Sequence, residues 1–154
     1  LLEPAGDPST PFHTLSPYVG CLVGCRFCYA QSRLDPLRRL LRLPAVPWGS
    51  YVDVRTNAPA VLRRELLGRP PWPIKLCPIV ADPYQAVEQR YRLTRACLDV
   101  LAEAHPIPPV LVLTRMAALA EVAGHPLKPD GIVRERLILA DDPDAPGPPS
   151  ATHD

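Results

Sequence analysis

Short apolar runs alternate with segments of helical periodicity along the middle of this 154-residue chain, and this alternation is the feature that most limits its fold. Residues 50–56 are rich in β-branched side chains, and residues 59–67 follow as a helix-like segment with proline near its start. Two further apolar runs, at residues 74–80 and 110–114, are each followed by a helix-like segment in the same way. Near-continuous apolar strands between amphipathic helices are typical of a parallel sheet covered by helices. The pattern therefore predicts an α/β protein, with a barrel and an open sheet both possible.

Proline marks the two ends of the chain. The 22 prolines are about three times the number that an average usage of roughly 5% would give. We expect residues 1–11 to be a loose N-terminal segment, residues 12–140 to be a single core domain and residues 141–154 to be a disordered, proline-rich tail. A short strand is predicted at the start of the core, and a helix to about residue 43, which Pro36 either breaks or restarts.

Charge and cysteine content limit the partners. The 17 basic and 16 acidic residues give a net charge of +1, so no overall attraction to nucleic acid or an anionic membrane is expected. No apolar run approaches the roughly 18 residues that span a bilayer, and no signal peptide opens the chain, which predicts a cytoplasmic protein without a membrane partner.

Three of the five cysteines fall within eight residues, which favours metal binding in a reducing compartment. The isolated Cys77 and Cys97 are expected to be small buried hydrophobic residues.

The clustered cysteines are Cys21, Cys25 and Cys28, in a loop that contains glycine. Thiolate ligands select zinc, copper(I) or iron-sulfur clusters. A structural zinc site needs a fourth ligand, for which His13 is a candidate. An iron-sulfur cluster held by three cysteines leaves one iron open to an exogenous ligand, so both kinds of site are consistent with the spacing.

The Cys-x3-Cys-x2-Cys spacing, with an aromatic residue before the third cysteine, resembles the signature of radical S-adenosylmethionine (SAM) enzymes. The residues around it, at 16–31, and the segments 51–57 and 81–95 resemble the spore photoproduct lyase-like subgroup. The resemblance covers roughly residues 11–115. It implies a partial (β/α) barrel of the radical SAM type, and because the family pattern fades after residue 115, we expect the last strand-helix units to be absent.

The resemblance also implies a chemistry. A [4Fe-4S] cluster on the three cysteines would bind SAM at its open iron and cleave it reductively to a 5′-deoxyadenosyl radical. An electron donor such as flavodoxin or ferredoxin is implied, and nucleic acid is one candidate substrate class, although the sequence does not identify the substrate. Two alternatives stay open: a catalytically incomplete iron-sulfur protein and a zinc-binding interaction module.

Side chains near the predicted strand ends are candidates for contacts with SAM, since α/β folds place ligand-binding groups there. The family resemblance implies that the aromatic side chain before the third cysteine sits beside the adenine of SAM. Arg55 is one candidate, at a position where the family usually carries lysine. We interpret Asp82 first as a helix cap. The candidate SAM contacts are Phe27, Tyr29, Arg55, Asn57, Gln85 and Glu88.

Overall fold

The computed structural model describes residues 1–76 and 79–116, and the backbone of residues 132–136. These ranges contain short strands and helices that alternate along much of the chain. The strands are β1 (Leu2–Ala5), β2 (Phe12–Leu15), β3 (Tyr18–Val19), β4 (Tyr51–Arg55), β5 (Ile74–Leu76), β6 (Val110–Val112) and β7 (Ile132–Arg136). The helices are α1 (Ala30–Leu40), α2 (Ala58–Leu66), α3 (Glu88–Tyr91) and α4 (Leu93–Glu103).

The strands form two sheets. The first has the order β1-β2-β5-β6, with β1 antiparallel to β2 and with β2, β5 and β6 parallel. The second has the order β3-β4-β7, with β3 antiparallel to β4 and β4 parallel to β7. Within the described ranges both sheets are open, so the partial barrel of the radical SAM type stays a prediction. The rest of the helix expected after residues 110–114, and the tail at 141–154, lie outside the described residues, as does Cys77.

The N-terminal segment is more ordered than its prolines indicate. The loose segment that we expected over residues 1–11 contains strand β1, which pairs along its whole length with β2. Leu2 is buried in the core at 2% exposure, and the connecting turn is held by the Asp7 carboxylate, which accepts hydrogen bonds from Ser9 and Thr10. Burial of an apolar side chain and a side-chain-stabilised turn therefore order a stretch without sequence periodicity.

The helical periodicity predicted after β5 continues through residue 101, but the helix is split in two. Arg92 adopts a left-handed backbone, with φ of 50°, between α3 and α4. The Glu88 carboxylate accepts hydrogen bonds from the backbone amides of Thr94 and Arg95, each at 3.0 Å, and so caps the first turn of α4. A carboxylate at a helix N-terminus satisfies unpaired amides and interacts favourably with the helix dipole, which favours the break.

Two other helix predictions can be compared with the structure. Helix α1 continues through Pro36, so the proline neither breaks it nor begins a second helix. Helix α2 begins one residue before the predicted start, with proline in its first turn. None of the helices in the described part of the chain is long and apolar enough to cross a bilayer.

The core has two parts, one for each sheet. The larger part lies between the four-stranded sheet and helices α2 and α4, and the smaller part lies beside the three-stranded sheet. Cys97 is fully buried in the larger part, which confirms the prediction that it acts as a small hydrophobic residue. The buried members of the larger part are Leu2, Leu15, Ala58, Leu62, Ile74, Leu76, Cys97, Val100 and Leu101, and those of the smaller part are Tyr18, Leu22, Val52, Val54, Val87 and Leu93.

Candidate functional site

A cavity of about 290 Å³ opens beyond the carboxyl ends of three strands, and the clustered cysteines line it. Cys21, Cys25 and Cys28 come from the loop between β3 and α1, which we call the cysteine loop (residues 20–29). Asp82 lines the cavity from the segment after β5, and Thr114 from the segment after β6. Because β2, β5 and β6 are parallel, their carboxyl ends share one edge of the sheet, where α/β folds place ligands.

Two glycines allow the cysteine loop to lie close to the strand beneath it. Gly20 has φ of +90°, and a Cβ atom there would lie 2.7 Å from a ring carbon of Tyr51. Gly24 has φ of +63°, and its Cβ would lie 2.9 Å from the Cα of Gly49. Both positions combine a backbone that favours glycine with too little space for a side chain. The glycines therefore fix the path of the loop between its first two cysteines.

Gln85 holds the cysteine loop from below. Its side chain is fully buried, with 0% exposure. Its Oε1 atom accepts a hydrogen bond from the backbone N–H of Leu22 at 2.9 Å, and its Nε2 atom donates to the carbonyl of Gly20 at 3.2 Å. The two bonds clamp the residues on either side of Cys21. Both amide atoms thus serve to position the loop, and the predicted contact of Gln85 with SAM stays a prediction.

Asp82 joins two of the segments that form the cavity. Its Oδ1 atom accepts hydrogen bonds from the Thr114 hydroxyl at 2.8 Å and from the Tyr84 backbone N–H at 2.9 Å. Its Oδ2 atom accepts from the backbone N–H of Arg115 at 2.7 Å. The predicted role of Asp82 as a helix cap is wrong, because α3 begins only at Glu88, and the bond from Tyr84, two residues ahead, stabilises a turn instead. The bonds from Thr114 and Arg115 connect the segment after β5 to the segment after β6, and so hold two walls of the cavity together.

The three loop thiols are free and differ in exposure. Cys21 is buried at 6% exposure, whereas Cys25 and Cys28 are partly exposed. Burial raises the pKa of the Cys21 thiol to about 11, and backbone N–H groups of Val23, Asp82 and Gly24 partly oppose this effect. Amide N–H groups directed at a sulfur atom stabilise its negative charge, and they are one of the features that tune protein-bound iron-sulfur clusters. The loop therefore holds one deep and two more accessible thiols.

Glu88 was predicted to contact SAM, but its carboxylate serves the fold. Besides capping α4, it accepts a hydrogen bond from the hydroxyl of Tyr18. Tyr18 is fully buried and lies just before the cysteine loop. Glu88 thus connects the start of that loop to the helix pair, and its contact with SAM stays a prediction.

The remaining predicted contacts lie around the cysteine loop in different settings. Phe27 is 73% exposed, with the guanidinium of Arg115 4.7 Å from its ring centroid, and Tyr29 lines the cavity at 54% exposure. Arg55 donates from Nη1 to the carbonyl of Ser16 at 2.9 Å, so it supports the approach to the loop. Asn57 occupies the position before α2 without a capping hydrogen bond from its side chain. Contacts of these side chains with SAM stay predictions.

His13 does not join the cysteines. It lines a second cavity, together with Trp72 and the ends of α2 and α4. The structure therefore gives no support to His13 as the fourth ligand of a zinc site. In residues 1–76 and 79–116, no three His, Cys, Asp or Glu side chains converge closely enough to hold one metal ion as they stand.

Several residues that line the cysteine cavity were not singled out from the sequence, Trp48 and Thr114 among them. Trp48 and Thr114 contribute to its walls, and Trp48 also makes an edge-to-face contact with Tyr51 at 5.9 Å between ring centroids. No local pattern marks Trp48, which lies in an irregular segment before β4. Thr114 could have been singled out by its place at the end of an apolar strand, the same reasoning that identified Asp82.

Comparison with known proteins finds similar but uncharacterized sequences. An uncharacterized protein of Mycobacterium tuberculosis (strain ATCC 25618 / H37Rv) is 36% identical over 109 residues, which are 68% of this chain and 30% of that protein. An uncharacterized protein of Mycobacterium bovis (strain ATCC BAA-935 / AF2122/97) matches to the same extent. The chain thus spans about 30% of the length of these relatives. No family model matches the chain. No solved structure matches it either.

Proposed function

We propose that this chain binds a [4Fe-4S] cluster through Cys21, Cys25 and Cys28 and takes part in radical SAM chemistry. The observation that carries the proposal is that three free thiols line one cavity at the carboxyl edge of parallel strands. Such thiols are the preferred ligands of iron-sulfur clusters. The resemblance of the cysteine spacing to the radical SAM signature adds the specific chemistry.

The donor set suits such a cluster. The cysteine loop offers three sulfur atoms, and backbone N–H groups from Val23, Gly24 and Asp82 act on the deepest of them. Three protein ligands leave the fourth iron of the cluster free for the amino and carboxylate groups of SAM. With SAM at that iron, the reduced cluster would supply the electron that breaks a carbon-sulfur bond of SAM and releases a 5′-deoxyadenosyl radical.

The protein's own residues would position the cluster and exclude water. Gln85 and the loop glycines fix the backbone around Cys21, and Asp82 fixes the opposite wall. Trp48 and Leu113 add apolar surface to the cavity. A rigid, partly apolar site limits side reactions of a radical. Tyr29 lines this site, Phe27 contacts Arg115 in its wall, and both are our candidates for contact with the adenine of SAM.

The wider role is also a proposal, because the chain spans only 30% of its relatives. We propose flavodoxin or ferredoxin as the class of electron donor and nucleic acid as a candidate substrate class, both from the family resemblance. Free thiols at four cysteines suit a reducing compartment, so we propose a cytoplasmic location.

The test is formation of 5′-deoxyadenosine from SAM by the anaerobically reconstituted and chemically reduced chain. Cys25→Ala removes a proposed ligand, and Cys97→Ala is a matched control because Cys97 lies in the core, away from the cavity. We expect product from the wild type and Cys97→Ala and none from Cys25→Ala. Bound iron and sulfide without product would indicate an incomplete iron-sulfur protein. A colourless protein that retains only zinc would indicate the interaction module and refute the proposal.

A further inference from the structure

Helix α1 exposes apolar side chains on the side that faces away from the protein. Its inner side is packed, and the buried residues there are Ala30, Leu34 and Arg38, at a spacing of four. Leu37 and Leu40 lie outside this buried row, with exposed fractions of 45% and 78%. A single exposed leucine is common on a protein surface, but leucines three residues apart on a helix are neighbours and form a contiguous patch. Patches of this kind mark sites of interaction with other molecules.

The exposed side of α1 leads to the cysteine cavity. Tyr29, which precedes the helix, has helical backbone angles, with φ of −68° and ψ of −16°, and it lines the cavity. At 3.6 residues per turn, Arg33, Pro36, Leu37 and Leu40 lie on the same side of the helix as Tyr29, and all five residues are exposed. We call these five residues the α1 face. From its first to its last residue the face rises about 16 Å, so one end lies at the cavity and the other about three turns away.

The α1 face lies in a stretch of positive charge. Residues 26–42 contain five arginines and a single acidic residue, Asp35. Arg38 is buried, and the exposed arginines are Arg26, Arg33, Arg39 and Arg42. Within the described part of the chain, the ion pairs involve other residues, so no carboxylate neutralises these four guanidinium groups. An apolar patch bordered by uncompensated arginines is complementary to a protein surface with an apolar centre and an acidic rim.

Other partners fit this surface less well. A symmetric contact with a second copy would bring the same arginines face to face, and like charges across an interface oppose association. A nucleic-acid backbone would pair with the arginines but would leave the leucines without an apolar partner. An anionic membrane attracts a protein through its overall charge, and the net charge of +1 gives little such attraction. An acidic protein satisfies both the leucines and the arginines.

We propose that the α1 face and the arginines around it form the docking surface for an acidic one-electron carrier protein. A protein interface of standard size covers about 800 Å² on each partner, which is a patch roughly 30 Å across. A carrier centred on the α1 face therefore also covers the mouth of the cysteine cavity. The carrier loses one electron, the cluster proposed there gains it, and no bond forms or breaks. The destination of the electron rests on the proposed function, whereas docking requires only the surface.

The first test measures docking without a cluster. An acidic flavodoxin is titrated into the cluster-free chain by isothermal titration calorimetry, at ionic strengths of about 0.01 M and about 0.1 M, between which electrostatic screening increases strongly. We expect binding that weakens at least tenfold at the higher ionic strength. Arg33→Glu reverses one charge of the α1 face and Leu40→Ser removes one apolar contact, and each should weaken binding about tenfold. The matched controls are Arg64→Glu and Leu67→Ser, at exposed positions in and directly after α2, and they should bind like the wild type.

The second test uses the reconstituted chain with a limiting amount of reduced flavodoxin. Formation of 5′-deoxyadenosine should fall about tenfold in Arg33→Glu and Leu40→Ser, and it should equal that of the wild type when a chemical reductant replaces flavodoxin. A wild type that forms no product with the chemical reductant, but whose flavodoxin binding depends on these two residues, would refute the proposed function and support the docking surface.

Three results would overturn the docking proposal. One is a wild-type chain that does not bind flavodoxin at low ionic strength. Another is an equal loss of binding in the two α1 variants and the two α2 controls. The third is a chain that ignores flavodoxin but forms a dimer, or binds phosphatidylglycerol vesicles or single-stranded DNA, in a way that Leu40→Ser abolishes. That result would assign the α1 face to a second copy, a membrane or a nucleic acid.

Discussion

Replacement of Gln85 by leucine tests how the cysteine loop is held. In the wild type, the buried amide satisfies one backbone N–H at Leu22 and one backbone carbonyl at Gly20. Leucine fills a similar space but can neither donate nor accept, so Gln85→Leu leaves both backbone groups buried without a partner. Each such group costs about 1–3 kcal/mol, and with some relaxation of the loop we expect a loss of roughly 2–4 kcal/mol in the free energy of unfolding.

The assay is urea unfolding followed by circular dichroism, on the metal-free wild type and the variant. Gln89→Leu is the matched control, since it makes the same chemical change four residues later at an exposed position. We expect the control to lie within about 0.5 kcal/mol of the wild type. As a second readout, alkylation of the buried Cys21 should become faster in Gln85→Leu, because the backbone on both sides of it is released.

A Gln85→Leu variant that unfolds at the wild-type urea concentration, with Cys21 still protected, would refute the reasoning. It would show that the two hydrogen bonds contribute nothing to loop position. A large destabilisation in the Gln89→Leu control as well would show that leucine in this segment is harmful for a reason unrelated to the loop.

Three further predictions concern other parts of the molecule. Asp82→Asn replaces one accepting oxygen by a donor and should lower the free energy of unfolding by about 1–3 kcal/mol in the same urea assay, whereas an unchanged value would contradict the role given to that carboxylate. Iodoacetamide should modify Cys25 and Cys28 well before Cys97, whose pKa burial raises to about 12, and mass spectrometry of timed samples would reveal any other order. Hydrogen bonds from the hydroxyl groups of Ser9 and Thr10 lower the pKa of Asp7 from 3.8 to about 2. The contribution of Asp7 to stability should therefore be complete above pH 4 and be lost as the pH falls toward 2, whereas an NMR titration midpoint near 3.8 would contradict this.

Much of the local structure could be predicted from the sequence because it depends on nearby residues. Apolar, β-branched runs became strands β4 and β6, and the helix after β4 begins close to its proline. The buried state of Cys97 was predicted because isolated cysteines usually behave as small hydrophobic residues. Such features rest on periodicity and turn chemistry within a few residues of one another.

Tertiary contacts decided what the sequence could not. Strand β1 forms because Leu2 reaches the core, and no hydrophobic periodicity in the first eleven residues predicts this contact. The helix after β5 is divided because the Glu88 side chain folds forward onto α4. A polar residue after a strand could be expected to serve either a ligand or the protein itself. For Gln85 the partners are loop backbone groups 63 and 65 residues away, and only the folded chain brings them together.

The central claim is that Cys21, Cys25 and Cys28 together hold an iron-sulfur cluster. The most direct measurement is the iron and acid-labile sulfide content of the chain after anaerobic reconstitution, for the wild type, Cys25→Ala and Cys97→Ala. The account predicts the four iron and four sulfide ions of a [4Fe-4S] cluster in the wild type and in Cys97→Ala, and a large loss of both in Cys25→Ala. Wild-type protein that binds neither iron nor sulfide, or a Cys25→Ala variant that binds both in full, would contradict it.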